Sequence, residues 1–264
     1  MTKKKAEKKE HNARVITLAN QKGGVGKSTV SANLAAYICR QGKKVALLDY
    51  DLHGSSSKWL KGAPQIGIDI NHSPLPLEVG GNRPMHEARQ KLRRLSYSNE
   101  IVIADLTWTD SMTAEFLFEF DMVIVPTSVS EIELNATSEF LQRFRWVFES
   151  TIHIPPKLLI CPTRVHDDQM SDDSIFKQRF PFRLMLSPAI LESNSARKLF
   201  QRGFISDLND ACGVSFTEFG SAVLSVVEEQ NHISRKNQAS TNNSRMQALL
   251  RLAAKYEASI RSVV

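Results

Sequence analysis

Apolar positions along this chain follow two rhythms. Short runs of aliphatic residues alternate with longer stretches in which apolar residues recur every three or four positions. The runs are Val15–Ala19, Lys44–Asp51, Ile101–Asp105, Met122–Pro126 and Lys157–Cys161, with a further one at Arg183–Leu186. Runs that are apolar throughout predict strands buried on both faces. Helical spacing predicts helices from Val30 to Gln41 (stopped by Gly42), from Pro84 to Leu95, from Glu131 to Glu149, and over 194–202 and 214–230. In the third of these, Leu134, Phe140, Leu141, Phe144, Val147 and Phe148 form the apolar side. Residues 54–82 hold Gly54, Ser55, Ser56, Ser57, four further glycines and three prolines, which predicts loops with one short strand at Ile66–Ile70. Apolar strands alternating with helices predict a single α/β domain of three layers, a mostly parallel central sheet with helices on both faces.

The ends of the chain follow neither rhythm. Residues 1–13 are rich in lysine and glutamate and read as a basic disordered tail. Residues 14–230 form the expected domain, 231–244 a polar linker, and 245–264 a basic amphipathic helix. Met246, Leu249, Leu250, Ala253, Tyr256, Ile260 and Val263 make that last helix's apolar face. It reads either as a face packed on its own domain or a second copy, or as a membrane-surface helix; the lack of Trp and Phe favours packing.

Charge sharpens this division. Six cations face two acids in residues 1–14, and six face one in 231–264, so the +6 chain has a body of net −3. Such tails grip a polyanion or simply keep the protein soluble. No apolar run reaches the ~18–20 residues that span a bilayer, and no signal-peptide core follows the N-terminal lysines. A cytoplasmic protein is expected. Cys39, Cys161 and Cys212 form no CxxC pair and read as buried thiols of a reducing compartment.

The chemistry concentrates after the first run, in Gln21-Lys22-Gly23-Gly24-Val25-Gly26-Lys27-Ser28-Thr29. A strand, a glycine turn and a helix N-terminus make an anion site, because backbone N–H groups and the helix dipole converge there. In such a P-loop, Lys27 reaches the β/γ-phosphates and Ser28 ligates Mg²⁺. Two later strands end in acids, at Asp49 and Asp51 and at Asp105. The carboxyl ends of parallel strands are where such a sheet holds its chemistry. Each acid also reads as a strand-end cap for the next helix.

The loop lacks the glycine expected at Gln21 and has a second lysine, Lys22, at its head. In this it resembles the deviant Walker A box of the ParA/MinD family of P-loop ATPases, over residues 14–230. The resemblance implies ATP and Mg²⁺ as cofactors, with Lys22, Lys27 and Asp51 as catalytic groups. Lys22 would cross a dimer interface to the partner's nucleotide, and Asp51 would orient the attacking water. Gly23, Gly24, Val25, Gly26, Lys27, Ser28 and Thr29 would hold phosphate, and Pro162, Thr163 and Arg164 the base. Ser28, Asp49 and Asp105 would serve the metal. Arg197, Lys198 and Arg202 occupy the region where the family contacts DNA without sequence specificity, and no helix-turn-helix precedes the P-loop. The chain departs from the family after Asp105, where Leu106-Thr107-Trp108-Thr109-Asp110 replaces a small residue and a proline pair.

The expected function is a ParA-like ATPase: an ATP-dependent homodimer, bound to DNA and stimulated by a ParB-like or other partner, that partitions replicons or positions cargo. A MinD-like membrane switch and a non-hydrolysing nucleotide-dependent adaptor stand as alternatives. A metabolic amidoligase or iron–sulfur reductase of the same superfamily would need a substrate pocket or ligating cysteines. A tyrosine autokinase would need clustered tyrosines, and Tyr37, Tyr50, Tyr97 and Tyr256 are dispersed.

Overall fold

A computed structural model of the chain describes residues 13–75, 83–109, 112–166, 169, 180 and 183–229. The expected basic tail up to residue 12, the linker, the C-terminal amphipathic helix and Asp110 lie outside these residues. The chain divides into two compact units, Met1–Ala222 and Val223–Val264. The described part of the second is 223–229, the last residues of a helix over 211–229.

The first unit holds the strands β1 (Arg14–Asn20), β2 (Val45–Asp49), β3 (Asp69–His72), β4 (Ile101–Thr107), β5 (Met122–Thr127), β6 (Lys157–Val165), β7 (Met185–Leu186) and β8 (Ile190–Leu191). They form a sheet in the order β3-β2-β4-β1-β5-β6-β7, with β8 also paired to β6. Every pairing is parallel. The register brings Leu18 beside Asp105 and Asp49 beside Asp105, so the acids gather at the carboxyl edge next to the chain leaving β1. An ion pair of 2.9 Å between Arg14 and Asp121 anchors the start of β1, and the second Asp121 oxygen accepts the Val15 N–H at 2.8 Å.

The central strands are buried on both faces because they are apolar at most positions. Val15, Ala46, Leu48, Val102, Ala104, Val123 and Ile160 enter one cluster with Met85, Leu92 and Leu95 of α3 (Arg83–Ser98) and with Leu134, Phe140 and Leu141 of α4 (Glu131–Gln142). Residues of the opposite parity, Ile16, Leu18, Leu47 and Ile103, are equally buried. On their side, α1 (Lys27–Arg40) lies against β1, β2 and β4. This is the expected α/β architecture with a parallel sheet between helices.

The local differences have identifiable causes. The stretch from Gly54, expected to be loop, contains α2 (Ser55–Gly62). Its start is capped from a distance, since Asp49 Oδ2 accepts the Ser57 N–H at 2.8 Å. The short strand expected at Ile66–Ile70 is β3, shifted to Asp69–His72. The long helix expected from Glu131 to Glu149 is broken: Phe144 (φ −109, ψ 12) separates α4 from α5 (Arg145–Phe148). The helix expected over 194–202 is helical only at Asn194–Arg197, and Gln201 has φ 61. A 3₁₀ turn at Ala114–Glu119, unforeseen, fills the connection from β4 to β5.

Candidate nucleotide-binding site

The site grows from the end of β1. Asn20 is buried, and its side-chain amide donates to the Pro126 carbonyl at 2.8 Å while its oxygen accepts the Lys22 N–H at 3.0 Å. This one residue aims the chain into the loop. Gly24 and Gly26 then take left-handed backbone conformations (φ 76 and 87), which a side chain would strain. Gly26 is the N-cap of α1, and no side chain caps that end. Its N–H groups therefore face the loop, as an anion site requires. Val25 is buried, and its carbonyl accepts the Thr163 hydroxyl at 2.9 Å, which ties the loop to the end of β6.

Two charged groups are held away from solvent here. Lys27 is 7% exposed, and its ammonium donates to the Lys22 carbonyl at 2.6 Å. Burial lowers its pKa from the usual lysine range, and the charges of Asp105 and Asp51 oppose that shift. Asp105 is 1% exposed, and among the described residues neither carboxylate oxygen has a partner within full hydrogen-bond geometry, although the Ser28 and Ser56 hydroxyls lie near enough to favour its charge. Burial, followed by the charge of Asp49, pushes its pKa up to about 6, against the pull of Ser28, Ser56 and Lys27. An orphaned buried carboxylate needs an explanation. A divalent cation supplies one, and phosphate fits the glycine turn and the lysine equally well.

The other acids are already engaged. Asp49 accepts the Asp51 N–H at 3.0 Å with one oxygen and the Ser57 N–H at 2.8 Å with the other. Asp51 accepts the His53 N–H at 2.9 Å and the Thr107 hydroxyl at 2.8 Å. Its carbonyl accepts His72 Nε2–H at 2.9 Å. His72 is absent from the residues singled out in the sequence, and Thr107 stands there only within the segment that departs from the family pattern; both act through register at the carboxyl edge of the sheet. Gln21, where an ordinary P-loop has glycine, accepts from Arg143 at 2.9 Å.

A cavity of about 340 Å³ opens beside the loop between Gly26, Thr29, Thr163, Arg164 and Ile190. Of the three residues expected to border the base, Thr163 and Arg164 line this cavity with Gly26. Pro162 is buried within β6, Thr163 braces the loop, and Arg164 is exposed with φ 55. Arg197, Lys198 and Arg202 are exposed; Arg197 lines the same cavity as Gly26 and Thr163 and pairs with Glu192 at 2.7 Å.

A family model described as the CobQ/CobB/MinD/ParA nucleotide binding domain matches residues 16–259. The chain belongs to that family. The chromosome-partitioning ATPase Soj of Thermus thermophilus is 37% identical over 129 residues, 47% of this chain and 50% of Soj. The maintenance of carboxysome distribution protein A of Halothiobacillus neapolitanus is 24% identical over 225 residues, 84% of this chain and 95% of that protein. Apart from that match, the chain spans about half, or less, of the length of the curated relatives compared. Cobyrinic acid a,c-diamide synthase of Mycobacterium smegmatis, solved with an ATP analogue and magnesium, shares the fold at a TM-score of 0.61. It is 23% identical, and the match covers 80% of this chain and 94% of that one. ATP with Mg²⁺ is thus the cofactor pair met in this CobQ/CobB/MinD/ParA fold, and the chain is a ParA/MinD-type nucleotide-binding protein related to Soj. Among its described residues, no helix is long and apolar enough to cross a membrane.

Proposed function

We propose that this chain is a ParA-type ATPase of the cytoplasm that positions a replicon or another large cargo. The observation that carries the reading is Asp105, a buried carboxylate without a hydrogen-bond partner beside a buried lysine at the end of the glycine turn. Bound Mg²⁺–ATP supplies the γ-phosphoryl group that is transferred to water. The amides of Gly23 to Thr29 and the α1 dipole hold the phosphates, and Lys27 offsets their charge. Ser28 and Asp105 would hold Mg²⁺, Asp105 through water, since the ion keeps several waters and takes only one or two protein oxygens. Asp49, both of whose oxygens are taken by amides, acts on the cation through its charge. Asp51 orients the attacking water. Pro162, Thr163 and Arg164 border the base.

Two copies close face to face, and Lys22 of each neutralises the nucleotide of the other. Lys22 is half-exposed, and its ammonium has no partner among the described residues. The dimer holds DNA through phosphate contacts that include Lys198, Arg202 and, once released from Glu192, Arg197. Such contacts bind without reading sequence and weaken with salt. A ParB-like or other protein partner accelerates hydrolysis and so ends the dimer's residence on DNA. Soj and the carboxysome distribution protein, both related to this chain, bear names that fit such work.

Multiple-turnover ATP hydrolysis, measured with and without DNA, tests the enzymatic core of this reading. The wild type is expected to turn over slowly and above Asp51→Ala, by about the 10²–10⁴-fold typical of a positioned acid–base group. Equal rates in the two proteins would overturn it.

A further inference from the structure

We propose that Thr107 is a positioning residue that orients the Asp51 carboxylate toward the attacking water; this rests on the ATPase reading above. Asp51 lies on the turn between β2 and α2, and its Oδ1 is occupied within that turn by the His53 N–H at 2.9 Å. Its Oδ2 accepts the Thr107 hydroxyl at 2.8 Å. Among the described residues, this is the one hydrogen bond that reaches the carboxylate from another element.

Thr107 is well placed to set that angle. It closes β4, two residues beyond Asp105, and its Cα is paired in register with Asn20 at the entrance of the glycine turn. The next residue, Trp108, is 2% exposed and stacks edge-on against Phe144 (4.7 Å between ring centres) and Phe140 (6.4 Å). The hydroxyl is therefore fixed both by the sheet and by an aromatic anchor in the core. The backbone of Asp51 is held as well, through its N–H on Asp49 (3.0 Å) and its carbonyl on His72 (2.9 Å). With the main chain held, the remaining freedom of the carboxylate is rotation about its side-chain bonds. A carboxylate has about four lone-pair sites. Two of them are taken here, one on each oxygen, which fixes the plane and leaves one site on each for water. Rate is sensitive to such orientation, since a misplacement of about 1 Å can cost about 10²-fold.

Thr107→Val keeps the branched shape and removes the hydroxyl. It is expected to lower ATP turnover about tenfold while leaving the affinity for a fluorescent ATP analogue unchanged, and Thr107→Ser is expected to keep the wild-type rate. In an Asp51→Ala background, Thr107→Val is expected to change nothing further, because the group it acts through is gone. In the nucleotide-free protein, the urea midpoint of the double variant should fall by less than the sum of the two single shifts. If Thr107→Val does not fold, Thr107→Ala takes its place in the same cycle. An unchanged rate, additive losses in the double variant, or a matching loss of analogue affinity would each overturn the assignment of Thr107. A wild type that turns over no faster than Asp51→Ala removes the ATPase reading, and Thr107 with it. Wild-type turnover combined with additive losses removes Thr107 alone.

Discussion

Asp105 carries the sharpest electrostatic conflict in the site. Folding moves its carboxyl from water to a position 1% exposed, next to Asp49, and the pKa rises to about 6 from an unperturbed value of about 3.8. A carboxyl whose folded pKa is raised binds more protons in the folded state than in the unfolded chain. Its contribution therefore falls as pH rises from about 4 to 6, and the full penalty applies above that window. The size is on the order of 2–3 kcal/mol. Asp105→Asn removes the charge, so with magnesium chelated its urea midpoint is expected above that of the wild type at pH 8. The gap should narrow at pH 5 and close as the pH falls below about 4. A gap independent of pH would show that the carboxylate is not held at this cost. The same conflict gives a metal its purchase, since a cation relieves what burial imposes.

At the scale of elements, the nucleotide loop is braced by its neighbours. The α4–α5 junction touches the site twice: Arg143 donates to Gln21 at 2.9 Å, and Phe140 and Phe144 enclose Trp108. Trp108 is thus the side chain through which the turn after Asp105 is held to the core. Truncating a buried aromatic to alanine costs about 3–5 kcal/mol. Trp108→Ala is expected to lose stability in that range by urea denaturation and also to lower ATP turnover, because Thr107 loses its anchor. Retained turnover in a destabilised Trp108→Ala would detach the core from the site. The break in this helix also shows where periodicity stops being informative. Leu141, Phe144, Val147 and Phe148 continue the helical spacing without interruption, yet Phe144 leaves the helix. Its ring packs on a tryptophan that is 36 residues away in sequence.

At the scale of the whole molecule, the proposed switch is a coupling between nucleotide and self-association. If two copies share the nucleotide through Lys22, ATP tightens the dimer and, by reciprocity, the dimer tightens ATP. Light scattering is expected to show a monomer without nucleotide and a dimer with Mg²⁺–ATP, most clearly for Asp51→Ala, which hydrolyses slowly. Lys22→Ala should remain monomeric under the same conditions while still binding nucleotide through Lys27. A dimer that forms as readily with Lys22→Ala would refute the shared site. Of the three thiols expected to be buried, Cys161 and Cys212 are, with pKa values pushed up to about 12 and about 11 by desolvation, whereas Cys39 is partly exposed.

The chain by itself determined the parallel α/β architecture, the glycine turn with Lys22, Lys27 and Ser28, and the acids at the ends of β2 and β4. These are local signals: apolar runs of strand length, glycines that permit a turn, and a helix that starts where they end. Only the tertiary structure decided which acid is left without a partner. Asp49 and Asp105 are strand-end aspartates that look alike in sequence. One caps α2 and the turn before it, and the carboxylate of the other has no hydrogen-bond partner among the described residues. Tertiary structure also decided that α2 forms at all, from a serine-rich segment whose cap lies eight residues back, and that Thr107 meets Asp51. The physical reason is common to all three. Hydrogen-bond partners at a sheet edge are chosen by strand order and register, and those are set by burial of the whole sheet rather than by the residues at its rim.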